Sequence, residues 1–209
     1  MERIPRTATA AITALTALAW IAALFFSSPN GAALALGFVP ARFSGLVTIS
    51  PAVPTFLTPL TATLVHSGLI HLGFNLLIFV WCGSQVERVL GRVGLISLYV
   101  VGAYASALAQ WATAPASLVP MVGASGAISA VVGAFALSFG RAKRITNNFH
   151  LNRWINVLWL MVAWVVLQEM TSWLAGGQGV LLATPAHIGG FAAGLLLQRP
   201  LLLWRYRKA

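Results

Sequence analysis

Apolar residues in this chain do not alternate with polar ones. They run together in blocks long enough to cross a lipid bilayer. A spanning helix needs roughly 20 mostly apolar residues to cover about 30 Å of hydrocarbon. Six stretches meet that pattern, at about Ala8–Phe26, Leu64–Gly83, Val93–Ala112, Ser125–Phe139, Ile155–Leu174 and Pro185–Leu203. The fourth is short, which predicts that it starts below the membrane surface. Ser125 would then be sunk into protein, a placement tolerated only inside a bundle or a wet cavity. Arg3 and Arg6 precede the first block as they would in a signal peptide. That block is longer than a signal-peptide core and no A-x-A site follows it, so it reads as a span. No internal repeat or low-complexity tract divides the chain. The pattern predicts an all-α integral membrane protein, a six-transmembrane-helix bundle forming one domain over residues 1–209.

Composition narrows the picture. Of 209 residues, 59% are hydrophobic and 8% charged, whereas a soluble domain carries about a quarter charged residues. Glu2, Glu87 and Glu169 are the only acids, and there is no aspartate. Such a chain cannot coat itself for water, which excludes a soluble enzyme, and it is too apolar to be disordered. The net charge of +10 has a topological reading. The basic residues fall at the N-terminus (Arg3, Arg6), after the second block (Arg88, Arg92), after the fourth (Arg141, Lys143, Arg144, Arg153) and at the C-terminus (Arg199, Arg205, Arg207, Lys208). All but Arg42 of the 13 Lys and Arg residues thus lie on one side, and the positive-inside rule puts both termini in the cytoplasm. No nucleic-acid partner is needed to explain the charge. A lone Cys82 supplies neither a disulfide framework nor a thiolate metal cluster.

On the opposite side one connection is unusually long, from about Ser27 to Thr63, and is punctuated by Pro29, Pro40, Pro51, Pro54 and Pro59. It is also apolar (Leu34, Leu36, Phe38, Val39, Phe43, Leu46, Phe56, Leu57). Such a loop is expected to fold onto the bilayer interface or the bundle.

Polar groups inside spans are expensive, so they are candidates for function. Three groups stand at the outer ends of their helices. In the second block, His71 and Asn75 are one helical turn apart and share a face, whereas His66 lies off that face and supports the neighbouring loop. The fourth block opens on Gly123-Ala124-Ser125-Gly126, with glycines that leave the hydroxyl unhindered. The sixth opens on Ala186-His187-Ile188-Gly189-Gly190. Gly126, Ala130 and Ala134 in the fourth block, with Gly133 close by, and Gly190 and Gly194 in the sixth form small-xxx-small stripes of the kind that let membrane helices pack closely. Packing the two stripes together would bring Ser125 beside His187. A serine hydroxyl becomes a nucleophile when a base lies within hydrogen-bond reach, and neutral imidazole is the usual base.

At these residues the chain resembles the rhomboid family of intramembrane serine proteases. The resemblance covers roughly His66 to Leu203. It rests on His-x-x-x-Asn (His71, Asn75), Gly-x-Ser-Gly (Gly123–Gly126) and Ala-His-x-x-Gly (Ala186–Gly190), in that order along the chain. The turn Glu87-Arg88-Val89-Leu90-Gly91 is similar to the family's acidic-to-glycine turn. The resemblance implies a rhomboid-like bundle with a long interfacial first loop and no cofactor or metal. It implies that Ser125 is the nucleophile and His187 its general base, a dyad without an acid, and that His71, Asn75 and the Ser125 backbone N–H stabilise the oxyanion. Gly123, Gly126, Gly190, Gly194 and His66 are supporting residues. The substrates implied are transmembrane proteins, in the setting of a bacterial inner membrane with the active site opening to the outer side. No oligomeric state follows, because Gly190 and Gly194 can be used wholly within one bundle.

Two departures from the family pattern stand out. Many members carry a Trp-Arg pair in the first loop, where this chain reads Thr55-Phe56-Leu57-Thr58-Pro59. An aromatic often follows the nucleophile by one turn and stacks on the histidine, whereas this chain has Ser129, which is expected to leave His187 less constrained. Glu169 reads as an interfacial or gate-side residue. Three rivals are weaker. An inactive relative that escorts membrane helices would usually have lost the serine or the histidine. A metal protein built on His66, His71 and His187 lacks a nearby carboxylate and an HExxH. A transporter would be expected to repeat its halves.

Overall fold

The computed structural model describes residues 7–26, 28–140, 145–174 and 183–207. Arg3, Arg6, Arg141, Lys143, Arg144 and Lys208, which entered the charge reading, lie outside the described residues, as do Glu2 and Ser27. The described residues are helical almost throughout. The only ladder contact among them is an isolated bridge between Phe38 and Met121.

Local chemistry explains where the helices begin. After α1 (Ala8–Phe26), the Ser28 hydroxyl accepts the Gly31 N–H at 3.1 Å and opens α2 (Pro29–Leu36), with proline in the first turn where no N–H is missed. Two short helices follow, α3 (Pro40–Phe43) and α4 (Thr58–Thr61), the latter flanked by 3₁₀ turns. The next long helix was expected from about Leu64, but α5 (Leu69–Ile78) starts later. Val65 and Gly68 are extended, so His66 and Ser67 sit in a loop that folds back over the helix start. A π-helical stretch, Phe79–Gly83, joins α5 to α6 (Ser84–Thr113).

Gly91 breaks α6. Its φ of 76° and ψ of 174° are not helical, and a Cβ there would collide with the Arg205 guanidinium. The break falls where the sequence predicts the turn between the second and third blocks. The remaining helices are α7 (Ser125–Phe139), α8 (Phe149–Leu174) and α9 (Thr184–Arg205). α8 begins before the expected Ile155 because the Asn148 Oδ1 caps it, accepting the Leu151 N–H at 3.1 Å.

Among the described residues, three helical runs are long and apolar enough to cross a membrane: Ala8–Phe25, Leu69–Thr113 and Phe149–Thr171. α7 is shorter and is buried almost all round, from Ser125 through Ala134 and again at Ala136. Its residues are mostly small and apolar on every side, so no face prefers water. α6, α7 and α9 form the tightest trio. Gly102 on α6 lies against the Ala127 carbonyl of α7, and Gly189 on α9 lies against the Ala105 carbonyl of α6. Gly194 on α9 sits on the Ala130 carbonyl, and Gly133 on α7 meets the Phe191 carbonyl, so the two small-residue stripes meet backbone to backbone. The outer faces of α1 and α8 expose Leu18, Phe25, Trp159, Met170 and Trp173, as befits an integral membrane protein whose outer faces meet lipid.

Residues 28–64 fold against α6 and the segment before α7. Phe38 and Met121 exchange backbone hydrogen bonds of 3.0 and 2.8 Å, and the Phe43 ring meets Trp111 edge-on at 5.4 Å. At the other end of the trio, Arg92, Arg205 and Arg207 line a cavity with Leu90 and Trp204. These cations lie at the helix ends remote from Ser125 and His187. The start of α1 is held there by Glu87, whose carboxylate accepts the Ala8 N–H (2.7 Å), the Thr9 N–H (2.9 Å) and the Thr9 hydroxyl (2.6 Å).

Candidate active site

Ser125 is the first residue of α7 and is 7% exposed. A helix leaves its first backbone N–H groups without intrahelical acceptors, so the start of α7 presents donors and a partial positive charge beside the Ser125 hydroxyl. Gly123, two residues earlier, has φ +112°, a region that disfavours any side chain. This turn is tied to the first connection, since the Gly123 N–H donates to the Ala62 carbonyl at 2.9 Å.

His187 comes from the first turn of α9 and is 3% exposed. Its Nε2 lies 2.9 Å from the Ser125 Oγ. The close approach depends on glycine. A Cβ at Gly190 would overlap the Gly126 carbonyl, and it would lie 2.6 Å from the Ser106 Oγ and 2.9 Å from the Ser129 Cβ. The other ring nitrogen of His187, Nδ1, is buried without a hydrogen-bond partner. The nearest carboxylate oxygen, Glu169 Oε1, is 3.9 Å from it and accepts the Thr184 hydroxyl at 2.8 Å.

His71 and Asn75 are both buried on α5. The His71 Nδ1 is 3.0 Å from the Ser67 hydroxyl, and its Nε2 side faces Gly123. The position a Cβ would take at Gly123 is 2.9 Å from the His71 Nε2 and 3.8 Å from the Ser125 Oγ. His71 and Ser125 therefore flank one small gap that a side chain at residue 123 would fill. Asn75 lies deeper, with its Nδ2 donating to the His71 carbonyl at 2.9 Å and its Oδ1 unpartnered. His66 packs edge-on to His71 with ring centres 5.1 Å apart, and its Nε2 accepts the Ala124 N–H at 3.4 Å. It thereby braces the turn into α7. Among the described residues, no set of three or more His, Cys, Asp or Glu side chains is arranged to hold a metal ion.

Two supports were not expected from the sequence. Ser129, 0% exposed, donates to the Ser125 carbonyl at 2.7 Å and accepts the Trp164 indole N–H from α8, also at 2.7 Å. The position read as a lost aromatic is thus a hydrogen-bond relay from α8 to the serine's own backbone. Glu169, expected near an interface or gate, is part-buried beside His187. The only forewarning was its position, an acid inside an apolar helix.

The arrangement places a hydroxyl, an imidazole and free backbone donors at one spot, the constellation used for acyl transfer. The Rhomboid domain profile matches residues 53–204, which leaves α1 outside the matched region. Rhomboid protease GlpG of Serratia proteamaculans is 32% identical over 136 residues, covering 64% of this chain and 44% of that protein. Rhomboid protein 1, mitochondrial, of Saccharomyces cerevisiae is 31% identical over 138 residues, covering 63% of this chain and 38% of that protein. Rhomboid-type serine protease 2 of Emericella nidulans is 28% identical over 141 residues, covering 64% of this chain and 24% of that protein. The chain thus spans less than half the length of each of these relatives. With a Rhomboid domain over most of its length and relatives named as rhomboid proteases, this chain belongs to the rhomboid family.

Proposed function

We propose that this protein is an intramembrane serine endopeptidase that cuts peptide bonds in or near transmembrane segments of other membrane proteins. The observation that carries the reading is the 2.9 Å contact between the Ser125 Oγ and the His187 Nε2, made between helices in the buried trio. In this reading Ser125 attacks the scissile carbonyl while His187 takes the hydroxyl proton. An acyl-enzyme forms as the C–N bond breaks, and the same proton passes to the departing amine. Water then adds to the acyl carbon, with His187 as base again, and Ser125 is regenerated. The Ser125 N–H at the start of α7, with His71 across the Gly123 gap and Asn75 one turn further along α5, would supply donors for the oxyanion. Loss of one such donor slows turnover by about 10²–10³-fold.

The bundle has six spans in this reading, forming a single domain: α1, α5 with the π-helical stretch that follows it, the part of α6 after Gly91, α7, α8 and α9. The cluster of Arg92, Arg205 and Arg207 remote from Ser125 supports cytoplasmic termini and an active site opening to the outer side. The segment 28–64, folded against α6 with Leu46 and Phe56 left exposed, would serve as the interfacial loop. Substrates would be transmembrane helices that unwind locally at the cut, and small or helix-breaking residues ease that unwinding.

The test is cleavage of a reporter transmembrane substrate by purified protein in detergent or proteoliposomes. Wild type should cut, Ser125→Ala and His187→Ala should not, and Asn75→Ala should retain part of the rate. Full activity in the His187 variant defeats the dyad. Binding without cleavage by the wild type would favour an escort protein, and inhibition by a chelator would favour a metal enzyme.

A further inference from the structure

His187 uses one ring nitrogen on Ser125 and leaves the other, Nδ1, buried and unpartnered. Buried polar atoms without partners are few in native structures, so this one needs a reason. The reason is close at hand. Glu169 Oε1 lies 3.9 Å from the Nδ1, beyond hydrogen-bond length but within about 1 Å of it. The carboxylate is not drifting in solvent: the Thr184 hydroxyl, at the start of the helix that carries His187, donates to the same oxygen at 2.8 Å. Thr184 and His187 are three residues apart on α9 and therefore neighbours on its surface. Glu169 comes from α8, next to Gln168 and five residues beyond Trp164, both of which are buried. Its side chain is 22% exposed, so it has freedom to move. Such contacts are often long in empty sites and tighten when substrate binds.

We propose that Glu169 is a positioning residue for His187, so that the site works as Ser125, His187 and Glu169 rather than as a pair. This rests on the serine-protease reading above. The carboxylate accepts the Nδ1–H of the neutral imidazole. That choice of tautomer leaves the Nε2 lone pair for the Ser125 hydroxyl. When the Ser125 proton arrives at Nε2, the ring becomes a cation flanked by a carboxylate, and the Nδ1 proton stays on nitrogen. No aspartate is available for this task, and Glu169 is the only described carboxylate near the ring.

Glu169→Gln removes the charge and keeps the shape. It should lower kcat by about 10²-fold with KM nearly unchanged, short of the ~10⁴-fold lost when a fully engaged triad acid is replaced by its amide. Labelling of Ser125 by a small fluorophosphonate, which needs no docked helix, should slow by a similar factor. A residue that only gates substrate access would raise KM and leave labelling untouched, and that result overturns the proposal. Wild-type kcat and labelling in Glu169→Gln, with Ser125→Ala and His187→Ala dead, overturn it too while sparing the dyad. If instead His187→Ala reacts like wild type, or the wild type neither cuts nor labels, the base itself is lost and the proposal falls with it. A measurement on unmutated protein guards against a variant that fails to fold. In ¹⁵N-histidine-labelled wild type, the His187 Nδ1 should carry the proton and Nε2 should be bare, and the opposite tautomer overturns the proposal.

Discussion

Gly194→Ala adds a single methyl group, and the structure indicates where its effect will fall. A Cβ built on Gly194 overlaps the Ala130 carbonyl oxygen, and it lies 2.7 Å from that carbonyl carbon and 2.8 Å from the Ala130 Cα. All three atoms are backbone of the buried helix α7, so none can swing aside as a flexible side chain would. Ordinary carbon–carbon contact is about 3.5 Å, so α9 must back away from α7 by at least about 0.8 Å there, and further to clear the oxygen. Gly194 is seven residues from His187, about 10 Å along a helix rising 1.5 Å per residue. If α9 moves as a rigid rod, most of the displacement reaches the histidine. The Nε2–Oγ separation then grows from 2.9 Å to beyond hydrogen-bond length. A misplacement of about 1 Å can cost about 10²-fold in rate, and overpacking of this kind costs about 1–3 kcal/mol in stability. The assay is kcat on a reporter transmembrane substrate, beside a melting curve showing that the variant is folded. Leu196→Ala on the same helix, where the side chain is 76% exposed, serves as the control and should stay near wild type. A folded Gly194→Ala protein with wild-type kcat would show that the glycine contact does not set the Ser125–His187 distance.

Three further substitutions probe different supports. Gly123→Ala forces a Cβ to within 2.7 Å of the His71 ring at a positive φ, costing about 1–3 kcal/mol of strain. Turnover should fall by about 10²-fold, the scale of a displaced oxyanion donor, and wild-type kcat would refute the role of that gap. Glu87→Ala leaves three donors in the first turn of α1 without their carboxylate. It should lower unfolding free energy by about 3 kcal/mol, since bonds to charged groups contribute about 1.5–3 kcal/mol each and do not add fully. Unfolding by denaturant in micelles reads this out, and an unchanged midpoint rejects the cap. Trp164→Phe deletes only the indole donor to Ser129. A loss of about 1 kcal/mol in stability with less than a tenfold fall in kcat is expected, and a dead enzyme would mean that α8 does more than hold the serine backbone.

What the sequence made legible was the part governed by local, additive physics. Long apolar runs announce helices because every backbone polar group in hydrocarbon must be satisfied within its own segment. The first block and α1 accordingly coincide, and the fourth coincides with α7. Small residues at a spacing of four announce a close helix contact, and Gly194 on Ala130 is that contact. Helix boundaries were less legible. The late start of α5 depends on the extended backbone at Val65 and Gly68, and the early start of α8 on the side chain of Asn148. Hydropathy averages over such single-residue events. The first connection was also only partly legible. Its prolines predict turns, but its bridge to Met121 and its ring contact with Trp111 join residues far apart in the chain.

At the site, the illegible part is what α8 contributes, and it changes how one departure from the family pattern is understood. The absence of an aromatic at position 129 predicts a histidine without one wall. The replacement is a serine small enough to bond its own helix at the Ser125 carbonyl and polar enough to accept the Trp164 indole. A phenylalanine at 129 could make neither bond, so the serine and Trp164 act as one unit drawn from two helices. Five residues beyond that tryptophan, Glu169 reaches toward α9 through Thr184. α8 therefore touches both α7, which carries the hydroxyl, and α9, which carries the imidazole. Both contacts are polar, formed in surroundings where water competes weakly and each bond counts for more than at a wet surface. Periodicity could not reveal this, because α8 is rich in tryptophan, leucine and valine on several sides and its inward face shows only after folding. On this account the distance between Ser125 and His187 answers to two constraints, the glycine contact of α7 with α9 and the polar anchorage of each to α8. Weakening the second alone should loosen the site without unpacking the first.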